Sequence, residues 1–272
     1  MEPPSALKNG EGVRTVQHPF SRGPFLGLAG QLVVLAVLDG AVGLSAAAWA
    51  SGVVCGSATA VVLGSALARR GRGGLGPADR VTLVRAMLVG GVAALVAETA
   101  RGTRPALVPT LVTCATVALI LDGLDGLVAR WTATASGLGA RFDMEVDALL
   151  IGVLSLHVAG SAGPWVLVIG AARYLRLLAC LPWPWMRGTA PARYWAKVVA
   201  VVQGVVLTVA AAGVLPGAVT TAALVLALGL LVESFGREAW RLWQLRSVPG
   251  VDRAPVAVGR AVPAAGTEGA AA

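Results

Sequence analysis

The chain reads as an all-α integral membrane protein, a six-helix transmembrane core with two additional N-terminal transmembrane helices. Three observations predict this. Hydrophobic residues make up 56% of the chain and charged ones 13%, whereas a soluble domain carries about 25% charged residues. Apolar runs of about 20 residues recur from end to end, each long enough to cross a hydrocarbon core of roughly 30 Å. The arginines gather in alternate loops between those runs, the bias that orients membrane helices.

Residues 1–24 mix Pro, Gly and charge and read as a flexible cytosolic arm. They hold no short apolar core with a cleavage site, so no signal peptide is expected. His18 lies in this arm with no partner nearby. Two apolar spans follow at 25–43 and 46–68, joined by an uncharged turn from Gly43 to Ser45. Asp39, near the end of the first, reads as an interfacial residue. A basic, glycine-rich connector from Ala68 to Gly74 then opens the core unit, placed at 75–245. Its six spans lie near 81–98, 107–129, 138–159, 163–182, 194–213 and 217–236, and residues 248–272, rich in Pro, Ala and Gly, read as a disordered tail.

The positive-inside rule gives the orientation. Arg14, Arg22, Arg69, Arg70, Arg72, Arg130, Arg141, Arg187, Arg193, Arg237, Arg241 and Arg246 fall on one side of eight spans. The loops at 43–45, 159–163 and 213–217 carry no charge, and only Arg101 and Arg104 break the pattern. Both termini are therefore placed in the cytosol. Trp183, Trp185, Trp240 and Trp243 sit where an interfacial aromatic belt would put them. With the arginines so distributed, a net charge of +8 points to topology and anionic lipid head groups, not to nucleic acid. Cys55, Cys114 and Cys180 are too few and too far apart for a disulfide framework or a zinc site. No internal repeat supports an inverted-repeat transporter.

Residues 122–147 contradict this apolar background. Asp122 and Asp125 are three apart, and Asp143 and Asp147 four apart, so each pair shares a helix face. The polar turn from Trp131 to Ser136 makes the two helices an antiparallel hairpin. Asp125 and Asp143 then lie roughly 9 Å from its ends, with Asp122 and Asp147 about one turn deeper. Each Asp at mid-helix costs roughly 2.5–3.5 kcal/mol, and two like charges about 4 Å apart repel by about 4 kcal/mol at an effective dielectric near 20. Four such groups need cations. Two divalent ions would cancel the charge, and all-oxygen donors suit Mg²⁺, Mn²⁺ or Ca²⁺. No His or Cys joins them, which argues against zinc. The plainer alternative is pairing with Arg130, Arg141 or neighbouring basic residues, although the four acids outnumber the two nearest arginines. Gly126, Ala129 and Gly139, small residues interleaved with the acids, serve either helix packing or a ligand cavity.

Asp122-x-x-Asp125-Gly126-x-x-Ala129-Arg130, eight residues, Gly139-x-x-x-Asp143-x-x-x-Asp147 resembles the complete signature of the CDP-alcohol phosphatidyltransferases. The resemblance covers residues 75–245. It implies a six-helix membrane enzyme whose polar cavity opens to the cytosol, with a CDP-lipid, usually CDP-diacylglycerol, and an alcohol as substrates. Asp122, Asp125, Asp143 and Asp147 would then hold two divalent ions, Mg²⁺ or Mn²⁺, on the diphosphate. Gly126, Ala129 and Gly139 would leave space for the nucleotide beside Arg130, and Asp147 would be the general base. Dimers are usual in the family.

Asp79-x-x-Thr82-x-x-Arg85 resembles the family's Asn-x-x-Thr-x-x-Arg opening of the first core helix, with Asp79 in place of Asn. Thr82 and Arg85 either contact the nucleotide or diphosphate, or act as an interfacial cap and a snorkelling arginine. Arg173, Arg176, Arg193 and Lys197 either line a basic pocket for an acceptor with its own phosphate or mark the interface. Glu98 and Glu233, near span ends, are expected to reach water, and Glu145 to face away from Asp143. His157 is expected near the outer end, far from the acids.

The function that follows is transfer of a phosphatidyl group from a CDP-lipid to a polar alcohol, releasing CMP, in phospholipid synthesis. Acceptors across the family include glycerol 3-phosphate, inositol phosphate, serine and phosphatidylglycerol, and the basic residues favour a phosphorylated polyol. The active site is placed on the cytosolic side, of the plasma membrane if the source is bacterial. The alternative from another class is a divalent-cation transporter using the four aspartates as an intramembrane site.

Overall fold

A computed structural model describes residues 22–70, 77–102, 104–131, 137–183 and 194–245. The expected arm up to residue 21, the connector residues 71–74 and the tail at 248–272 lie outside them. The elements run α1 (Arg22–Val42), α2 (Ala46–Arg70), α3 (Pro77–Thr99), α4 (Leu107–Trp131), α5 (Gly137–Ala162), a 3-10 turn (Pro164–Val166), α6 (Leu167–Ala179), α7 (Tyr194–Ala212) and α8 (Gly217–Leu245). Among the described residues there is no strand.

Six of these helices, α1–α4, α7 and α8, are long and apolar enough to cross a membrane. Eight spans were expected, and the difference has a physical cause in each remaining helix. α5 is 26 residues long, but Arg141, Asp143, Glu145 and Asp147 fill its first half. α6 has 13 residues, or roughly 20 Å at 1.5 Å per residue. It carries Arg173 and Arg176, and of its expected span at 163–182 the first residues form the 3-10 turn Pro164–Val166 while the helix ends at Ala179. Two left-handed glycines end helices: Gly43 (φ 68°) after α1 and Gly213 (φ 63°) after α7.

α3 lies at the centre. Of its spanning segment 67% is buried, against 39% or less in the other five. It packs against α1, α2, α4 and α5. Leu83, Val89, Val92 and Leu95 of α3 meet Leu111, Ala115 and Ala118 of α4 and Phe142, Val146, Leu150 and Leu154 of α5 in one continuous core. α5 and α6 cross at a glycine pair: a Cβ on Gly170 would stand 2.9 Å from Gly152 Cα. Large apolar side chains left exposed, such as Val37 on α1 and Leu226 on α8, are what a lipid-facing surface presents. Trp183, Trp240 and Trp243 are exposed as a belt requires, whereas Trp185 lies outside the described residues.

A polar clasp fastens the end of α3 that lies furthest along the chain from Asp79. Glu98 is 2% exposed, which corrects the expectation that it reaches water. Its Oε2 accepts the Ser45 N–H at 2.8 Å and its Oε1 accepts from Arg104 Nη2 at 2.7 Å. Arg104 Nη1 also donates to the Gly43 carbonyl at 2.9 Å. Asp39 Oδ1 accepts the Leu44 N–H at 2.6 Å, so it caps the same turn. Arg104, one of the two arginines on the wrong side for topology, thus has a structural task. His157 Nδ1 lies 3.2 Å from Thr99 Oγ1, in the last turn of α3 and far from the acids, as expected.

Candidate active site

The other half of the bundle brings polar groups together. Asp79, Thr82 and Arg85 recur every third residue on α3, which puts them on one face, and all three are buried. Asp122 descends from α4, and Asp143 and Asp147 from one face of α5. Arg85 reaches into the middle of these acids. Its Nη1 donates to Asp122 Oδ1 at 2.6 Å, and its Nη2 to Asp143 Oδ1 at 2.6 Å and Asp147 Oδ1 at 2.9 Å. Nη2 also approaches the Asp143 carbonyl at 3.2 Å.

Burial divides this cluster into a back and a front. The Arg85 side chain is 1% exposed, while those of Asp122, Asp143 and Asp147 are 26%, 32% and 31% exposed. The guanidinium is therefore the floor, and the carboxylates open outward. One oxygen from each of the three acids can be chosen so that all lie within 4.8 Å of one another. With three carboxylates and one guanidinium ionised, two negative charges remain among these four groups. Hard oxygen donors, excess negative charge and an open side fit a divalent cation.

The sequence agrees with this geometry from an independent direction. The family model for CDP-alcohol phosphatidyltransferases matches residues 75–232, which begins just before α3 and runs well into α8. The chain belongs to that family. No curated protein and no solved structure matches it. Membership supplies the general activity, transfer from a CDP-alcohol to an alcohol acceptor, in a family that uses divalent metals.

Within this CDP-alcohol phosphatidyltransferase, three of the four signature aspartates are gathered as the spacing suggested. Asp125, Gly126, Ala129 and Arg130 lie on α4, but the side chains of Asp125, Ala129 and Arg130 and the surroundings of Gly126 are outside what the structure describes. Gly139 is half-buried in the first turn of α5. Arg85 was read as either a nucleotide contact or a snorkelling arginine. At 0% exposure it does not snorkel, and it is the basic partner that counting Arg130 and Arg141 overlooked. Arg141 is exposed on α5.

Of the four residues considered for an acceptor pocket, Arg173 and Arg176 are each paired with a glutamate. Arg173 is paired with Glu145, Nε to Oε2 at 3.2 Å, with a closer second contact through Nη2. Arg176 Nη2 meets Glu238 Oε1 at 2.9 Å. Lys197 is exposed on α7, and Arg193 lies outside the described residues. Glu145 faces away from the acidic cluster, as its spacing suggested, and with Glu238 it ties α6 to α5 and α8. Glu233 accepts from Trp195 Nε1 at 3.1 Å. A separate shallow cavity of about 360 Å³, lined by Gly236, Ala239, Trp240 and Trp243, contains no acidic group.

Proposed function

We propose that this chain is an integral-membrane enzyme of phospholipid synthesis. It takes a phosphatidyl group from a CDP-lipid, such as CDP-diacylglycerol, and passes it to a polar alcohol, releasing CMP. The observation that carries this reading is the outward-facing triad of signature carboxylates over a buried guanidinium.

In the reaction the acceptor oxygen forms a bond to the lipid-linked phosphorus, and the bond from that phosphorus to the bridging oxygen of CMP breaks. The hydroxyl proton passes to Asp147, the proposed general base. Two divalent ions, Mg²⁺ or Mn²⁺, held by Asp122, Asp125, Asp143 and Asp147 would polarise the phosphoryl oxygens and stabilise the departing phosphate. Gly126, Ala129 and Gly139 leave room for the nucleotide, and Arg130, Thr82 and Arg85 bind its polar parts. A phosphorylated acceptor would have to draw Arg173 and Arg176 from their glutamates, with Arg193 and Lys197 adding charge. α1 and α2, which precede the matched region, are two additional transmembrane helices. The arginine distribution places both termini and the active site on the cytosolic side, and the enzyme works as a homodimer, as is usual in the family.

A divalent-cation transporter would account for the carboxylates but not for the family match. The test is CMP release from CDP-diacylglycerol by the purified chain with Mg²⁺ or Mn²⁺, across a panel of alcohols with and without a phosphate. Release that needs both a divalent ion and an acceptor supports the reading. Ion uptake into vesicles without CMP chemistry would replace it with the transporter.

A further inference from the structure

We propose that Arg85 is an exchangeable counter-ion, a built-in cation that holds the carboxylates before divalent ions load and competes with those ions for the same oxygens. This rests on the reading of the triad as a divalent-cation site.

Three observations support it. First, three carboxylates within 4.8 Å of one another, in a helical bundle with an apolar core, repel strongly unless a cation stands among them. Arg85 stands in that position, with contacts to all three acids. Second, its Nη2 occupies the space between Asp143 Oδ1 and Asp147 Oδ1, at 2.6 and 2.9 Å. Magnesium holds its oxygen ligands at about 2.0–2.1 Å, so an ion that took either oxygen as a ligand would compete for that space. Third, the guanidinium lies at the buried back while the acids are 26–32% exposed at the front. Ions can enter from the front and displace the fork from its oxygens without unfolding the helices.

A merely structural arginine and a competing one differ in what its removal does. If Arg85 only positions the acids, Arg85→Ala lets them splay and weakens metal binding. If it competes, the variant binds metal more tightly, although its metal-free form is less stable.

The experiment uses the full chain in detergent or nanodiscs, with Mn²⁺ as the probe and free Mn²⁺ counted by electron paramagnetic resonance. Wild type should bind Mn²⁺ saturably and Asp143→Asn should lose it. If wild type does not bind, the metal-site reading fails and the exchange with it. Given binding by wild type, Arg85→Ala should bind about tenfold more tightly or better, the effect of removing one close competing charge. Millimolar guanidinium should restore the weaker wild-type affinity in Arg85→Ala and leave wild type unchanged. In EDTA the variant should melt below wild type, and saturating Mn²⁺ should close most of that gap. Arg85→Lys, which keeps the charge without the planar fork, should fall between the two and serves if Arg85→Ala does not fold. Unchanged or weaker Mn²⁺ binding in the folded variants, with wild type binding normally, overturns the exchange and leaves the metal site standing.

Discussion

Asp147 and Asp143 sit one helical turn apart on α5, yet the proposed reaction gives them different tasks. Asp143 only holds cations, whereas Asp147 also takes a proton. Asp147→Asn keeps the shape and an oxygen donor but removes the base. It should lower kcat by about 10²- to 10⁴-fold, the range for a positioned general base, while CDP-lipid binding changes little. Turnover and equilibrium binding of the CDP-lipid, measured on the same preparation, check this, and near-normal turnover would take the base role from Asp147. The aspartates were legible in the sequence because four carboxylates at helical spacing in apolar sequence are costly and conspicuous. Arg85 was only half legible. The Asp79-x-x-Thr82-x-x-Arg85 spacing singled it out, but its partners lie 37, 58 and 62 residues away. Only the packing of α3 between α4 and α5 brings them within reach. Glu98 misled for the same reason: its nearness to a span end suggested water, and its partners Ser45 and Arg104 belong to other elements.

At the scale of elements, the bundle is fastened at both ends of α3 by charge. Removing the Glu98 carboxylate strands the half-buried Ser45 N–H and frees Arg104 from the turn after α1. Glu98→Ala should lower stability by about 1–3 kcal/mol, the cost of unsatisfied buried groups. The figure stays below that of a fully buried pair because the Arg104 side chain is 53% exposed. Thermal melts in detergent read this directly, and an unchanged melting temperature would show that the clasp contributes nothing. The α5–α6 crossing makes a second prediction. Gly170→Val has no room beside Gly152 Cα and the Ser155 side chain, whose Cβ and Oγ stand 3.0 Å from a Cβ built there. Overpacking of this kind costs about 1–3 kcal/mol. It should also loosen the Arg173–Glu145 and Arg176–Glu238 pairs that tie α6 in place, whereas Gly229→Ala, with open space around it, should melt like wild type. Helix existence and order were legible from apolar runs and glycine turns. The brevity of α6 was not, since hydropathy continues through Leu181 while the helix ends at Ala179.

For the whole molecule, the enclosure of α3 explains why the helices ahead of the matched region are packed into the bundle and not merely appended. α1 and α2 both pack on α3, and Gln31 of α1 lies so close that a Cβ on Gly90 would collide with its side-chain amide. The arginine distribution was the sequence's statement about orientation, and it makes a prediction that geometry alone does not. With the three native cysteines replaced, Val214→Cys, in the uncharged loop after α7, should react with a membrane-impermeant thiol reagent from outside intact cells. Gln244→Cys, near the end of α8, should react only after lysis. The reverse pattern would invert the molecule and put the acids on the outer face.

The proposed reaction places transfer from a CDP-lipid at the carboxylates over Arg85. The measurement that meets it most directly is CMP release by the folded, purified chain given CDP-diacylglycerol, a divalent ion and each acceptor in turn. CMP should appear with at least one alcohol and be abolished by EDTA and by Asp143→Asn. A folded wild-type protein that releases no CMP with any acceptor, in either Mg²⁺ or Mn²⁺, would contradict it.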